Sequence, residues 1–334
     1  MLGLAVSFYL ISKDFNAGIY ENVEWTYNAG LFLLLAIVLE AIRDLAYMYR
    51  IRLLTDGKIS WRKSFQVIML WEFASALTPS VVGGSAVALY IVNKEIDNVG
   101  KSTAIVMITA LLDEMFYIVM VPVMFFFVGY NELFINTEFD LFGMGKFPTE
   151  FIFFVGYGFI LLLTSIITFS IFFKPHVFKK ILSGIFRLPF LKRWYKSVLQ
   201  TGDEIIITSR EMKGKSLGFW AKAFGSTLFS WTSRFLVINA LILVLVQGGD
   251  QFLIYARQLV MWVILLISPT PGGSGVAEFM LPKFLGEFMG GYGNEIALGW
   301  RILSYYSYLI IGSMVLPVWL RRVYSKNKAG KSAG

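Results

Sequence analysis

Long apolar runs alternate along the chain with short polar segments whose charge changes sign from one segment to the next. The runs at residues 29–49, 102–128, 151–173, 217–246 and 297–320 come close to or exceed the ~20 residues that a spanning helix needs, and each predicts a membrane span. Two further apolar runs are interrupted. In the first, residues 64–92, the stretch Thr78-Pro79-Ser80-Val81-Val82-Gly83-Gly84 leaves half-helices of about 14 and 9 residues, each too short to cross. In the second, Ser268-Pro269-Thr270-Pro271-Gly272-Gly273-Ser274-Gly275 separates residues 252–267 from 276–289. Proline lacks the amide donor and clashes with the preceding turn, and glycine gives up backbone order, so neither stretch continues a helix. In hydrocarbon each freed amide or carbonyl costs several kcal/mol, which confines broken backbone to places packed in protein or lining a wet cavity. Both breaks are therefore candidate sites. Residues 1–12 are apolar but too short to span, and they lack the basic flank and small-residue cleavage site of a signal peptide. They read either as a short first span or as part of a chain that starts upstream.

Charge in the loops sets an orientation. Arg50, Arg52, Lys58, Arg62 and Lys63 follow the span at 29–49 and assign that end to the cytoplasm, while Asp14, Glu21 and Glu24 against Lys13 assign the preceding loop to the outside. The first interrupted run is flanked by Arg62/Lys63 and Lys94/Lys101, so both its ends face inward, as in a re-entrant hairpin. Glu132, Glu138, Asp140 and Glu150 against Lys146 make an outer loop. Residues 174–216 hold ten basic and three acidic residues, with Val177, Phe178, Ile181, Leu182, Ile185 and Phe186 on one helical face. That pattern predicts interfacial helices on the inner leaflet, lysines toward anionic head groups. The second interrupted run has no basic flanks and enters from outside, and the basic tail from Arg321 to Lys331 puts the C-terminus in the cytoplasm. Span, hairpin, span at 29–128 is thus answered in the opposite orientation at 217–320. The expected fold class is an all-α polytopic membrane protein, a single transmembrane domain over residues 1–334, built as an inverted-topology repeat whose two re-entrant broken-helix hairpins meet near the midplane.

Composition agrees with this class and narrows the chemistry. Of 334 residues, 57% are hydrophobic and only 16% charged, and no long polar periodic segment remains to form a soluble domain. The net charge of +8 sits in loops flanking spans, so topology rather than nucleic acid accounts for it. With no cysteine and a single histidine, His176 in a basic inner loop, the chain offers no thiol chemistry and no Cys/His metal site, and neither metal nor cofactor is expected.

Ionisable residues inside apolar runs cost about 2.5–3.5 kcal/mol each at a helix centre, which singles out Glu72, Asp113, Glu114, Arg234, Arg257 and Glu278. The repeat brings Glu72, near the first break, toward Glu278, near the second. Arg234 or Arg257 pairs with them or meets a lipid phosphate, or such a pair only fixes helix register. At each break the following half-helix starts with unpaired amides and a positive dipole end, suited to phosphate or carboxylate. Pro79 and Pro271 hold the breaks open, and Gly83, Gly84, Gly272, Gly273 and Gly275 allow close backbone approach or, alternatively, tight helix packing. Thr78, Ser80, Ser85, Thr270 and Ser274 add hydroxyl donors. Glu40, Arg43 and Asp44 lie one turn apart, a spacing for intrahelical pairing near the inner surface.

At the two breaks the sequence resembles the flippase-like family that shares the transmembrane region of lysylphosphatidylglycerol synthase. The matching residues are TPSVVGG followed by Tyr90, Asp113 in the next span, and PTPGGSGVAEF in the second half. The resemblance covers residues 29–322 and implies a bacterial or archaeal membrane protein that handles lipid or lipid-linked head groups, in some relatives by flipping an aminoacylated phospholipid. Relatives often carry a basic residue where this chain has Ala88 and another where it has Ala277, so an aminoacyl-phosphatidylglycerol substrate does not carry over. The soluble catalytic domain of synthase relatives is not expected after Gly334, nor is their transferase activity.

The leading expectation is a flippase or transporter of lipid head groups in the cytoplasmic membrane, working by alternating access around the two breaks. A membrane-embedded enzyme on lipid-linked substrates would need a nucleophile and base or a metal cluster, and the sequence offers only carboxylates such as Asp113 and Glu278. A proton-coupled carrier of a small polar solute would use the same carboxylates. The partners implied are membrane lipids, anionic or phosphate-bearing, with a homo-oligomer left open and no nucleic acid.

Overall fold

The computed structural model describes residues 26–331 except 79, 141–144, 189–191, 267–272 and 274. In chain order the elements are α1 (Tyr27–Leu54), α2 (Trp61–Leu77), α3 (Ser80–Ile96), α4 (Val99–Val128) and a one-turn α5 (Tyr130–Leu133). Strands β1 (Glu138–Asp140) and β2 (Lys146–Pro148) follow, then α6 (Thr149–Thr168), α7 (Pro175–Ile185), α8 (Tyr195–Lys213) and α9 (Leu217–Leu245). The chain closes with α10 (Gln251–Leu265), α11 (Val276–Leu285), α12 (Gly293–Arg301) and α13 (Ser307–Lys331). Among the described residues, the helices at Val99–Val128, Thr149–Phe173, Leu217–Leu245 and Gly293–Ser325 are long and apolar enough to cross a membrane. Phe126, Phe127, Phe229 and Met314 stand exposed on three of them, an outer surface suited to hydrocarbon.

The expected span at 29–49 lies within α1, but the helix runs further and carries too much charge to join those four. It continues through Arg50 and Arg52 to the cap at Thr55, and Arg50 is buried rather than part of a basic loop. The driving contact is α9, which presents Ala223, Ser226, Thr227, Ser230 and Ser233, all buried, as a small-residue face on which α1 packs closely. Ser230 donates to the carbonyl of Arg43 at 3.3 Å and fixes the register.

Pro122 sits inside α4, where it removes one helical amide and leaves the carbonyl of Ile118 without its i+4 partner. Tyr157 of α6 donates its hydroxyl to that carbonyl at 3.4 Å. At the other end of α4, Glu204 of α8 accepts from the amide of Gly100 at 2.7 Å, placing a carboxylate on the positive helix terminus. Lys215 and Lys101 flank Asp56 at 2.5 and 3.6 Å. Burial alone would push the Asp56 carboxyl up, but the two ammonium groups hold it below its ordinary value. The basic segment at 174–216 does contain two helices, α7 and α8, and Val177, Ile181 and Ile185 of α7 remain uncovered.

Both interrupted runs fold as antiparallel helical hairpins. In the first, Ser75 meets Gly84 near the tip while Lys63 pairs with Glu95 at 3.3 Å near the open end. Its helices have 17 residues each, longer than the halves of about 14 and 9 expected from the break. Ser60 caps α2 early, and α3 begins at Ser80, so Gly83 and Gly84 lie within a helix instead of in the break. In the second hairpin, Arg257 of α10 pairs with Glu287, just beyond α11, at 2.5 Å. Phe139 of the β-hairpin stacks on Phe284 of α11 with 6.2 Å between ring centroids, so the acidic loop covers that hairpin's open end.

Candidate functional site

A cavity of about 290 Å³ opens where two clusters of buried residues meet, one built around α10 and α11 and the other around α1, α2 and the start of α4. The tips of both hairpins line it: Ser75, Ala76 and Ser85 from the first, Leu265, Gly273 and Ala277 from the second. A π-helical turn at Ile302–Tyr306 joins α12 to α13 and turns Arg301, Ser304 and Tyr305 toward the same space. The hydroxyl of Tyr305 donates to the carbonyl of Ala76 at 3.1 Å, tying this turn to the first tip.

Most charges on the wall are neutralised. Arg50 of α1 grips Asp113 of α4 with two bonds of 2.6 and 3.1 Å and donates to Thr227 at 2.8 Å. Asp113 also accepts from Trp231 Nε1 at 2.9 Å. Glu72 pairs with Arg43 at 2.6 Å, and Arg43 in turn meets Glu40 at 3.1 Å and Asp44 at 3.2 Å. Tyr308 hydrogen-bonds Arg43, and its hydroxyl lies 2.8 Å from both Glu40 and Asp44. The triad read from sequence as an intrahelical pairing is thus the core of a buried cluster that reaches across to α2 and α13. Arg301 meets Glu278 at 2.8 Å. The arginine partners of Glu72 and Glu278 are therefore Arg43 and Arg301 rather than Arg234 and Arg257.

Two ionisable groups on the wall make no ion pair among the described residues. Arg234 of α9 is held between two indole rings, 5.0 Å from the centroid of Trp231 and 4.8 Å from that of Trp262, and its Nε meets no partner. Glu114 of α4 is buried, and its Oε2 meets none. Arg234 lies close enough to Glu72 to feel its charge, but no carboxylate is in ion-pair contact with it.

Of the residues expected at the site, Glu72, Ser85, Asp113, Glu114, Arg234 and Gly273 line this cavity. Glu278 stands behind the wall, where its carboxylate accepts from the amide of Gly275 at 2.8 Å. The amide expected to greet a ligand is thus occupied by the chain's own carboxylate, a capping arrangement at a glycine with φ of +84°. Gly84 serves helix packing, since a Cβ there would come within 3.1 Å of Ser75 Cα. Thr78 donates to the carbonyl of Ala74 at 2.7 Å and ends α2. Arg257 lies outside the lining, donating to the carbonyl of Glu132 at 2.8 Å as well as pairing with Glu287. Ser80 and Gly83 fall in the first turns of α3. Pro79, Thr270, Pro271, Gly272 and Ser274 lie outside the described residues. Sequence reasoning passed over Arg50, Arg301 and Tyr308, and it passed over the tryptophans at 231, 262 and 300. Their signal was weak, because an arginine near a span end reads as a loop charge and aromatics at helical spacing read as core.

The family described as the lysylphosphatidylglycerol synthase TM region matches residues 1–312. The chain is also similar to a UPF0104 membrane protein of Archaeoglobus fulgidus, with 24% identity over 331 residues that cover 94% of this chain and 95% of that protein. No solved structure matches it. With a helical fold suited to hydrocarbon and a match over nearly its whole length, the chain is a membrane protein of the lysylphosphatidylglycerol synthase transmembrane-region family.

Proposed function

We propose that this protein is a flippase or transporter that carries the head group of an anionic lipid through the cavity between the two hairpin tips. The observation that carries this reading is Arg234, an unpaired guanidinium on a wall whose other charges are, Glu114 apart, already matched. A lipid phosphate supplies the missing counter-charge, and the flanking indoles shield that contact from water and strengthen it. The repeat at 29–128 and 217–320, with one hairpin entering from each side, supplies an alternating-access scheme in the cytoplasmic membrane with a cytoplasmic C-terminus. On the same reading α7 lies along the inner leaflet, its uncovered Val177, Ile181 and Ile185 in the acyl boundary and its lysines among head groups. The test is transbilayer movement of labelled phosphatidylglycerol in proteoliposomes. Wild-type protein accelerates it, and Arg234→Gln returns it to the protein-free rate. Movement that is unchanged by Arg234→Gln removes the proposal.

A further inference from the structure

Glu40, Asp44 and Glu72 all lean on the one guanidinium of Arg43, at 3.1, 3.2 and 2.6 Å. Each has its ion-pair contact, but in number the carboxylates exceed the charge they share. Arg43 is fully buried and Glu40 is 8% exposed, so bulk water does not spread the excess. Carboxylates crowded into one site do not all ionise freely, and a proton on one of them relieves the rest.

The hydrogens around Tyr308 lead to the same proton. Its hydroxyl oxygen accepts from Arg43 and lies 2.8 Å from Glu40 Oε1 and 2.8 Å from Asp44 Oδ1. A phenol has one hydrogen to give, which serves one of those two oxygens. The other contact sets oxygen against oxygen unless that carboxyl group brings a hydrogen of its own. Glu40 Oε2 adds a separate sign, since it is out of reach of water and meets no hydrogen-bond partner among the described residues. In the anion that oxygen carries a share of the charge with nothing to solvate it, whereas in the acid it is a neutral carbonyl oxygen.

Arg43 faces the pair from α1, with Tyr47 against its guanidinium, Glu72 faces it from α2 and Tyr308 from α13. Arg50, across Tyr47, is taken up by Asp113, and α9 adds Ser230 at the Arg43 carbonyl, which does not titrate. Glu72 and Tyr308 line the cavity, and the side chains of Asp44 and Glu72 are 20% and 21% exposed, so a proton has a way in and out.

We infer that Glu40 and Asp44, bridged by Tyr308, hold one exchangeable proton between them, and that this proton is taken up and released in step with the anionic head group. A phosphate arriving at Arg234 brings negative charge toward Glu72, which feels Arg234, and so toward a cluster that already holds too much of it. Like charges repel strongly where the dielectric is low. A proton on the pair lowers that repulsion, so the proton favours the anion and, by reciprocity, the anion favours the proton. The proton adds to one carboxylate oxygen from the side to which the cavity opens and leaves to the other side with the head group, and no other bond changes. This coupling rests on the reading of Arg234 as the anion anchor and names the ion that travels with the lipid.

Infrared spectroscopy of the full-length protein in phosphatidylcholine bilayers reads the proton directly, because the C=O stretch of an undissociated carboxyl group lies apart from the carboxylate bands. Near neutral pH the wild type shows such a band, and Glu40→Gln and Asp44→Asn each abolish it. No band, or a band that only Glu114→Gln removes, overturns the proton site and leaves the Tyr308 hydrogen shared between two anions. Coupling is read on the wild type alone, so it does not depend on how a variant folds. Labelled phosphatidylglycerol is followed in proteoliposomes held one pH unit more acidic outside, with protein-free vesicles under the same gradient as the baseline. One proton per lipid anion drives the label toward about a tenfold excess in the inner leaflet, and a protonophore returns it to equality. Rapid movement that ends in equal leaflets despite the gradient overturns the coupling and leaves the flippase standing. Movement no faster than the baseline counts against the flippase reading itself and takes the coupling with it, whatever the infrared band shows.

Discussion

In the first hairpin Glu72 reaches out to Arg43 of α1, and Glu95 is paired with both Arg322 and Lys63, whereas in the second Glu278 turns back onto Gly275 of its own helix and meets Arg301. Burial differs as much as charge does. From Ile254 to Leu265 the second hairpin's α10 is buried at every position but Trp262, while α3 of the first hairpin leaves Val87 and Tyr90 exposed. Both hairpins carry ion pairs, but the first leaves part of α3 exposed, whereas α10 of the second is buried along nearly its whole length beside a covering loop. A half-exposed helix gives up fewer packing contacts in moving than one buried along nearly its whole length. Under the alternating access proposed above, the first hairpin is the one that shifts and the second is its fixed counterpart.

The largest effect that separates the two belongs to their carboxylates. Glu278→Gln removes the carboxylate that both caps Gly275 and pairs with the buried Arg301, and lowers stability by about 3–5 kcal/mol in thermal unfolding in detergent. Glu72→Gln leaves Arg43 with Glu40 and Asp44, and the loss is about 1 kcal/mol. Equal losses would mean that the two hairpins are anchored alike. Next come the glycines. Gly84→Ala forces a Cβ against Ser75 and destabilises by about 1–3 kcal/mol, and Gly273→Ala, at φ +67° where a Cβ would make only ordinary contact with Ala277, by about 1 kcal/mol. Hydrogen exchange reads the contrast without mutation: amides of residues 85–96 exchange about tenfold or more faster than those of 254–265. Smallest is Asp56→Asn, beyond both hairpins, where a half-exposed pair contributes less than about 1 kcal/mol. Because the folded state holds that carboxyl below its ordinary value, its contribution is present above the ordinary aspartate range and fades as pH falls through the lowered value. A pH titration of unfolding midpoints for wild type and Asp56→Asn should therefore converge in acid.

The helices and both interruptions were legible in the sequence because proline, glycine and uninterrupted apolar runs act locally. Glu72, Asp113, Glu114 and Arg234 were legible as well, since a charge in an apolar run has few innocent explanations. The partners of those charges were not. Arg43 and Arg50 lie on α1 beside or within stretches that read as a surface pairing and a basic loop, and only the small-residue face of α9 draws that helix inward far enough to bury them. Glu278 stands three residues after Gly275, a spacing that allows a carboxylate to cap its own helix, so this part of the arrangement was present in the sequence and was passed over. Tyr308 reaches the cavity region beyond a π-helical turn, whose extra residue shifts the facing of all that follows and leaves no mark in hydrophobic periodicity, and Arg301 stands immediately before that turn.

The central claim is that the unpaired arginine holds the anion, and the sharpest measurement sets it against an arginine that is already paired. Retention of phosphatidylglycerol in native mass spectrometry is compared for wild type, Arg234→Gln and Arg257→Gln. Arg257 is the reference because it is also buried but is bound to Glu287 and to the carbonyl of Glu132. Loss of one charge-assisted hydrogen bond of about 1.5–3 kcal/mol predicts that Arg234→Gln retains about ten- to a hundredfold less lipid, with Arg257→Gln near wild type. Equal retention by all three proteins, or a loss confined to Arg257→Gln, contradicts the account.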